Sequence, residues 1–380
     1  MTKQTKQNKE ENRIPVPTCG FYLGTIYFYL TQGCNLKCRH CWIAPKFQTE
    51  DSKHPYLDFE LFKDIIRQGK ELGMSSVKLT GGEPFIHPDI ENIIDYINEQ
   101  GLQLTIETNG VKCTPTLAEK IAKAKRPFVS VSLDGDNATT HEWVRGVEGS
   151  FDAALQGIRN LVKVGIRPQI IMSIMRYNYK QMESLVRLAE RENAESVKFN
   201  IVTPTARGKQ MHDDGQTLSI EELIEIGRWV EDVLTPSSKI RIAHSHPIAF
   251  RPLKKVFNSS NGRCGIFSIM GVLGNGKYAL CGIGETVPEL VFGDVAKDKL
   301  ADIWNNSEVL NTIRKGLPKD LNGICADCIQ RTMCLGSCIA MNYYRSHDLF
   351  APYWYCEEAH QKHLFPASRI KPGSSHDYKN

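Results

Sequence analysis

The chain has 380 residues, 41% of them hydrophobic, and a formal net charge of +4. That is enough apolar material for one large and one small domain, and too mild a basic excess to point to nucleic acid. No run of about 20 apolar residues is available to span a membrane, and residues 1–13 lack the apolar stretch of a secretory signal, so a cytoplasmic location is expected. Twelve cysteines then need a reason. Disulfides are disfavoured in a reducing cytosol, and clustering at ligand spacings explains most of them better than idle thiols do.

Residues 1–18 are polar and charged with scattered prolines, and read as a flexible arm. Residues 25–30, Thr-Ile-Tyr-Phe-Tyr-Leu, are apolar on both faces, as strands are in parallel sheets covered by helices. A regular alternation follows. The spacing predicts helices over 57–72, with Asp58 as N-cap and Gly73 as stop, and over 89–100, 116–124, 151–164, 180–192 and 219–234. Between them lie strands at 76–80, 103–107, 128–133, 169–174 and 196–201. Six strands alternating with helices require parallel pairing and right-handed crossovers. Eight would close a full barrel. Six give an α/β fold with a partial (β/α)6 barrel of TIM type over 19–236, and the chemistry should lie in loops at the C-terminal ends of the strands.

The first such loop holds Cys34, Cys38 and Cys41, three thiols within eight residues. Each thiolate can take one iron of a cubane cluster, and three of them leave the fourth iron without a protein ligand. An iron left open can bind a substrate or cofactor. The alternative is a zinc knuckle, but zinc wants a fourth ligand at knuckle spacing, and His40, beside Cys41, is badly placed to share its metal. The loop after the second strand is Thr80-Gly81-Gly82-Glu83-Pro84, where glycines allow close approach to the backbone and Glu83 could pair with an ammonium group. Thr108-Asn109-Gly110 and Ser132-Leu133-Asp134-Gly135 follow the next two strands. Their hydroxyls and carboxylate suit a ribose, although Asn-Gly and Asp-Gly also make turns unaided. His141-Glu142-Trp143-Val144-Arg145-Gly146 offers a guanidinium that can fork onto a carboxylate or end a solvated helix.

The C-x3-C-x2-C spacing together with Gly81-Gly82-Glu83-Pro84 resembles the radical S-adenosylmethionine (radical SAM) enzymes. The resemblance implies a [4Fe–4S] cluster on Cys34, Cys38 and Cys41, with S-adenosylmethionine chelating the open iron. It implies that Gly81, Gly82, Glu83 and Pro84 meet the methionyl amino group, that Thr108, Ser132 and Asp134 line the adenosine, and that Arg145 meets the cofactor carboxylate or the substrate. Residues 200–208 resemble the family's sixth-strand loop beside the adenine or substrate.

Residues 237–263 read as a bridge. From Cys264 the composition shifts, and Asn275-Gly276 between apolar runs signals a hairpin that would bring Cys264 and Cys281 together. Cys325, Cys328, Cys334, Cys338 and Cys356 follow. The seven positions resemble the SPASM domain, here at 264–360, an auxiliary iron–sulfur module of radical SAM enzymes that modify peptides. The resemblance implies one cluster on Cys325, Cys328, Cys334 and Cys356 and another on Cys264, Cys281 and Cys338. Met270 stands where some relatives have a fourth cysteine, so this second cluster is [4Fe–4S] with an open iron or [2Fe–2S] with another ligand. Zinc remains the alternative for the array. Cys19 and Cys113 read as ordinary thiols, and 361–380 as a disordered polar tail.

Such clusters suit net oxidation of a peptide or protein: cross-linking, side-chain oxidation or backbone rearrangement. Relatives that make formylglycine carry an Asp after the second hairpin cysteine, where this chain has Gly282. That counts against formylglycine, and leaves Glu285 as the nearest acid and candidate base. A separate leader-recognition protein and a flavodoxin or ferredoxin reductant are expected partners, with neither nucleic acid nor membrane. A small molecule such as a tetrapyrrole is the alternative substrate, and a non-catalytic electron-transfer protein the alternative class.

Overall fold

The apolar run after Gly24 forms β1 (Thr25–Tyr29), which lies inside a ten-stranded sheet. The computed structural model describes residues 17–49, 51, 52, 54–253, 256 and 264–376, so most of the expected arm lies outside the described residues. Parallel strands β2 (Ser76–Thr80), β3 (Gln103–Thr108), β4 (Lys125–Ser132), β5 (Gln169–Ile174) and β6 (Ser196–Ile201) add to β1 in chain order. The crossovers carry α1 (Phe59–Glu71), α2 (Ile90–Glu99), α3 (Pro115–Ala122), α4 (Ala138–Arg145), α5 (Ser150–Lys163) and α6 (Met182–Arg191). Asp58 caps α1 as its sequence predicts, accepting from the Glu60 and Leu61 amides.

The strands alternate between two environments. Val77, Leu79, Leu104 and Ile106 are fully buried in the apolar core with Ile93, Ile94 and Ile97 of α2. Each such side chain contributes about 1.5–3 kcal/mol of burial. The opposite phase carries Lys78, Thr80 and Glu107, so polar groups are left for the lumen. This is the α/β partial barrel that the alternation predicts.

Three expectations need correction. The supposed bridge at 237–263 contains β7 (Arg241–His244), a seventh parallel strand beside β6; four residues, polar at both ends, give too little periodicity to be read. It follows α7 (Ala206–Asp213) and α8 (Ile220–Trp229), and α8 stops short of 234 because Val230–Leu234 winds as a wider π turn. Secondly, the sheet is not confined to 19–236 but continues into the cysteine-rich segment. Its strand β8 (Ile269–Val272) pairs in parallel with β1, and β9 (Lys277–Ala279) and β10 (Val291–Asp294) continue antiparallel. The turn is the expected one, with Gly276 at φ +75°. The sheet runs β10-β9-β8-β1-β2-β3-β4-β5-β6-β7, and its outer strands β10 and β7 do not pair with each other, so the barrel is open. Thirdly, the tail is packed as far as it is described: Phe365 and Ile370 are buried, and Ile370 bridges to Cys328.

The C-terminal part is built from α9 (Leu300–Asn306), α10 (Glu308–Gly316), α11 (Gly323–Asp327), α12 (Arg331–Cys334), α13 (Ile339–Ser346) and α14 (Trp354–Gln361). Trp304 anchors α9 to the barrel, fully buried and donating to the Phe21 carbonyl at 2.7 Å. Among the described residues no helix is long and apolar enough to cross a membrane.

Candidate active site

A cavity of about 880 Å³ opens at the C-terminal ends of the strands. Its wall includes Cys34, Cys38 and Cys41 together with Cys334 and Cys338 of the C-terminal part. Gly33 and Cys34 pair with Lys46 and Phe47, which closes the cysteine loop at its base. The loop is then held from two directions. The Lys37 and Arg39 amides donate to the Arg145 and Val144 carbonyls at the end of α4, both at 2.9 Å. Arg207, in the first turn of α7, donates to the Cys38 carbonyl at 3.2 Å and the Pro45 carbonyl at 2.6 Å. Gly146 has φ +71° and its missing Cβ would stand 3.0 Å from the Lys37 carbonyl oxygen, so α4 can end against the loop only with glycine there.

The Gly81-Gly82-Glu83 turn is locked to the first cysteine. The Glu83 amide donates to the Gly33 carbonyl at 3.1 Å, and a Cβ on Gly82 would lie 1.8 Å from that same oxygen. The Glu83 carboxylate is 1% exposed. It accepts from the Phe85 amide at 3.0 Å, the Thr108 hydroxyl at 2.6 Å and the Asn109 amide at 2.8 Å. Burial pushes its pKa up to about 6 even though these donors oppose the rise. Pro84 opens a short 3₁₀ turn and is buried away from the cavity. Asn109 ties the system to the cysteine loop by donating to the Asn35 side chain at 2.8 Å.

Of the other sequence candidates, Gly81, Gly82, Glu83, Thr108, Ser132 and Arg145 line the cavity. Thr108 spends its hydroxyl proton on Glu83. Asp134 does not line the cavity. It is fully buried and paired with Arg145, Nε to Oδ2 at 2.7 Å, while its other oxygen accepts from the Ser173 amide at 2.7 Å. Burial alone would raise this carboxyl, but the Arg145 guanidinium beside it holds it below its ordinary value. Arg145 in turn points Nη1 at the Cys38 sulfur, 3.5 Å away. Glu285 also misses the cavity and accepts from the Gln32 side chain at 2.8 Å.

Sequence reasoning passed over a charged set in the lumen. Lys78 pairs with Glu107 at 2.7 Å, and Lys198 on β6 lines the cavity near them. Burial lowers the Lys198 ammonium pKa against the pull of Glu107. The signal was available as the polar phase of otherwise apolar strands.

The cysteines fit iron–sulfur groups on chemical grounds. All twelve are free thiols. Burial raises Cys34 and Cys38, and Cys38 and Cys41 raise Cys34 further by their charge, which shows how closely the trio is gathered. The same mutual influence links Cys264, Cys281 and Cys338, and separately Cys325, Cys328, Cys334 and Cys356. Buried thiolates of this kind need positive charge, which ligated iron supplies. Among the described residues no three His, Cys, Asp or Glu side chains converge where a single metal ion would sit; thiols that hold a metal–sulfide core stand around its body, further apart. Met270 is fully buried in the apolar core.

Comparison with known proteins agrees. Residues 28–189 match the radical SAM superfamily and residues 264–329 the SPASM iron–sulfur cluster-binding domain. An AdoMet-dependent heme synthase of Methanosarcina barkeri is 29% identical over 87% of this chain and 95% of its own length. The mycofactocin maturase MftC of Mycolicibacterium smegmatis is 26% identical over 97% of this chain and 90% of its own. The crystal structure of Streptococcus suis SuiB bound to S-adenosylmethionine superposes with a TM-score of 0.70 at 20% identity, covering 89% of this chain and 77% of SuiB. The chain is thus a radical SAM enzyme, its partial barrel followed by a SPASM domain.

Proposed function

We propose that this enzyme oxidatively modifies a peptide or protein. A [4Fe–4S] cluster with S-adenosylmethionine belongs to the first domain and auxiliary iron–sulfur clusters to the second. When bound, the first pair supplies a 5′-deoxyadenosyl radical, which takes hydrogen from unactivated carbon. The observation that carries the reading is a cavity whose lining joins Cys34, Cys38 and Cys41 with Cys338 of the C-terminal part. A substrate held there has a route for the electron lost after hydrogen abstraction. In this reading Cys34, Cys38 and Cys41 hold the first cluster, Cys264, Cys281 and Cys338 the nearer auxiliary one, and Cys325, Cys328, Cys334 and Cys356 the other. Gly81, Gly82 and Ser132 border the S-adenosylmethionine, and Glu83 orders that wall. MftC, aligned over nearly the whole chain, is a maturase by name. A cytoplasmic setting, a flavodoxin or ferredoxin donor and a separate leader-recognition protein complete the proposal.

The test is anaerobic incubation of reconstituted enzyme with S-adenosylmethionine, reductant and any short peptide found encoded beside its gene. Release of 5′-deoxyadenosine in step with a two-hydrogen mass loss from the peptide is expected; 5′-deoxyadenosine release with an unchanged peptide refutes the substrate class. A tetrapyrrole is the second reading. It is favoured by the basic cavity lining, in which Arg145, Lys198, Arg207, Arg241 and Arg251 outnumber Glu83 and Glu107, a balance suited to propionate arms, and by the heme synthase likeness. An iron tetrapyrrole in the same assay separates the two.

A further inference from the structure

We propose that the Asp134–Arg145 pair sets the reduction potential of the cluster at the cysteine trio, with Arg145 acting through the sulfur of Cys38. The inference rests on the assignment of Cys34, Cys38 and Cys41 to that cluster.

The pair is built as a fixed charge. Asp134 is 0% and Arg145 7% exposed. Asp134 is held on three atoms: Oδ1 accepts from the Ser173 amide, its carbonyl accepts from Asn178 at 2.9 Å, and its amide donates to His141 Nδ1 at 3.2 Å. Arg145 lies on the helix whose last carbonyls receive the cysteine-loop amides. Its Nε is taken by Asp134, which leaves Nη1 directed at Cys38 Sγ. A buried ion pair is weak evidence for stability by itself. Here the pair is polarised, its cation at the sulfur and its anion one side chain behind.

Reduction adds one negative charge to the cluster and its thiolates. Hydrogen bonds and charge at the sulfurs therefore move the potential, strongly so where water is excluded. Arg145 favours the reduced form and eases electron delivery; Asp134 restrains it. The two residues should therefore act with opposite sign, which a merely structural pair would not do.

The test is a redox titration of the reconstituted, full-length protein without S-adenosylmethionine, followed by electron paramagnetic resonance. The relevant signal is identified as the one that changes when S-adenosylmethionine is added to a parallel sample. Arg145→Met is expected to lower the midpoint by about 60 mV, a tenfold shift for one electron. Asp134→Asn is expected to raise it, and Arg145→Lys to retain most of the wild-type value. Unchanged midpoints, or shifts of one sign in both charge-removing variants, overturn the proposal. So does an Arg145→Met protein that weakens only S-adenosylmethionine binding. If Arg145→Met fails to load iron, Asp134→Asn carries the test; if neither loads although both fold, the pair builds the site and does not tune it, which also overturns the idea. A Cys38→Ala protein that keeps the S-adenosylmethionine-sensitive signal would instead sink the cluster assignment.

Discussion

Gly82→Ala is the sharpest probe of the site because its cost can be worked from geometry. The added Cβ would lie 1.8 Å from the Gly33 carbonyl oxygen and 2.5 Å from its carbon, with ordinary contact beginning at 3.4 Å. Both obstacles are backbone, so no side chain can swing aside. Either the Gly81-Gly82-Glu83 turn or the Gly33-Cys34 strand must shift by more than an ångström. Overpacking of this kind costs about 1–3 kcal/mol, too little to unfold a barrel of this size. It is enough to pull Cys34 out of line with Cys38 and Cys41, and to break the 3.1 Å bond from the Glu83 amide to Gly33. The variant should fold, shown by an unchanged far-ultraviolet spectrum, and keep its auxiliary clusters. It should lose about four irons per chain, one cubane cluster, along with the signal that responds to S-adenosylmethionine. Iron and acid-labile sulfide counts on anaerobically reconstituted protein give the answer. A Gly82→Ala protein with full iron and an unaltered response would show that the clash is relieved without moving the cysteine, and the reasoning would fail.

Glu83, raised from 4.5 to about 6 by burial, binds its proton more tightly folded than unfolded. The unfolded chain ionises first as pH rises, so this group withdraws about 2 kcal/mol of stability from the cluster-free protein between pH 4.5 and 6. Urea denaturation should show Glu83→Gln gaining on wild type by that amount across the window, and no pH-dependent difference would refute the shift. Arg207→Ala removes two donors to the cysteine loop, at about 1 kcal/mol each; the trio's cluster should bleach at least tenfold faster in chelator while the auxiliary clusters persist. Changing Cys34, Cys38 and Cys41 together to Ala should abolish 5′-deoxyadenosine release and leave the iron bound by the seven C-terminal cysteines, as counted by iron analysis.

The βα core was legible because each strand is a β-branched run and each helix an amphipathic one, so that β2, β5 and β6 begin and end where their patterns do. Local signals also exposed the cysteine trio and the Asn275-Gly276 turn. What stayed hidden depends on partners distant in sequence. The pairing of β8 with β1 leaves no mark in either strand, since both are simply apolar. The protein partners of Thr108 and Asp134 stayed hidden for a related reason: a hydroxyl or a carboxylate near a binding loop looks the same whether or not a neighbour engages it, and here Thr108 donates to Glu83 while Asp134 pairs with Arg145. Glu285 was chosen by nearness along the chain, and the hairpin turned it away toward Gln32.

The union of β8 with β1 carries a consequence for how the molecule is made. During synthesis β1 must wait with one flank uncovered until Ile269–Val272 has left the ribosome, and an apolar strand with an open flank invites wrong partners. Cutting the chain ahead of Cys264 would strip out the auxiliary clusters and would also leave β1, the strand that leads into the cysteine loop, at a raw border, prone to clumping. The two cluster-bearing regions are thus one folding unit, and transplanting either alone would sacrifice both.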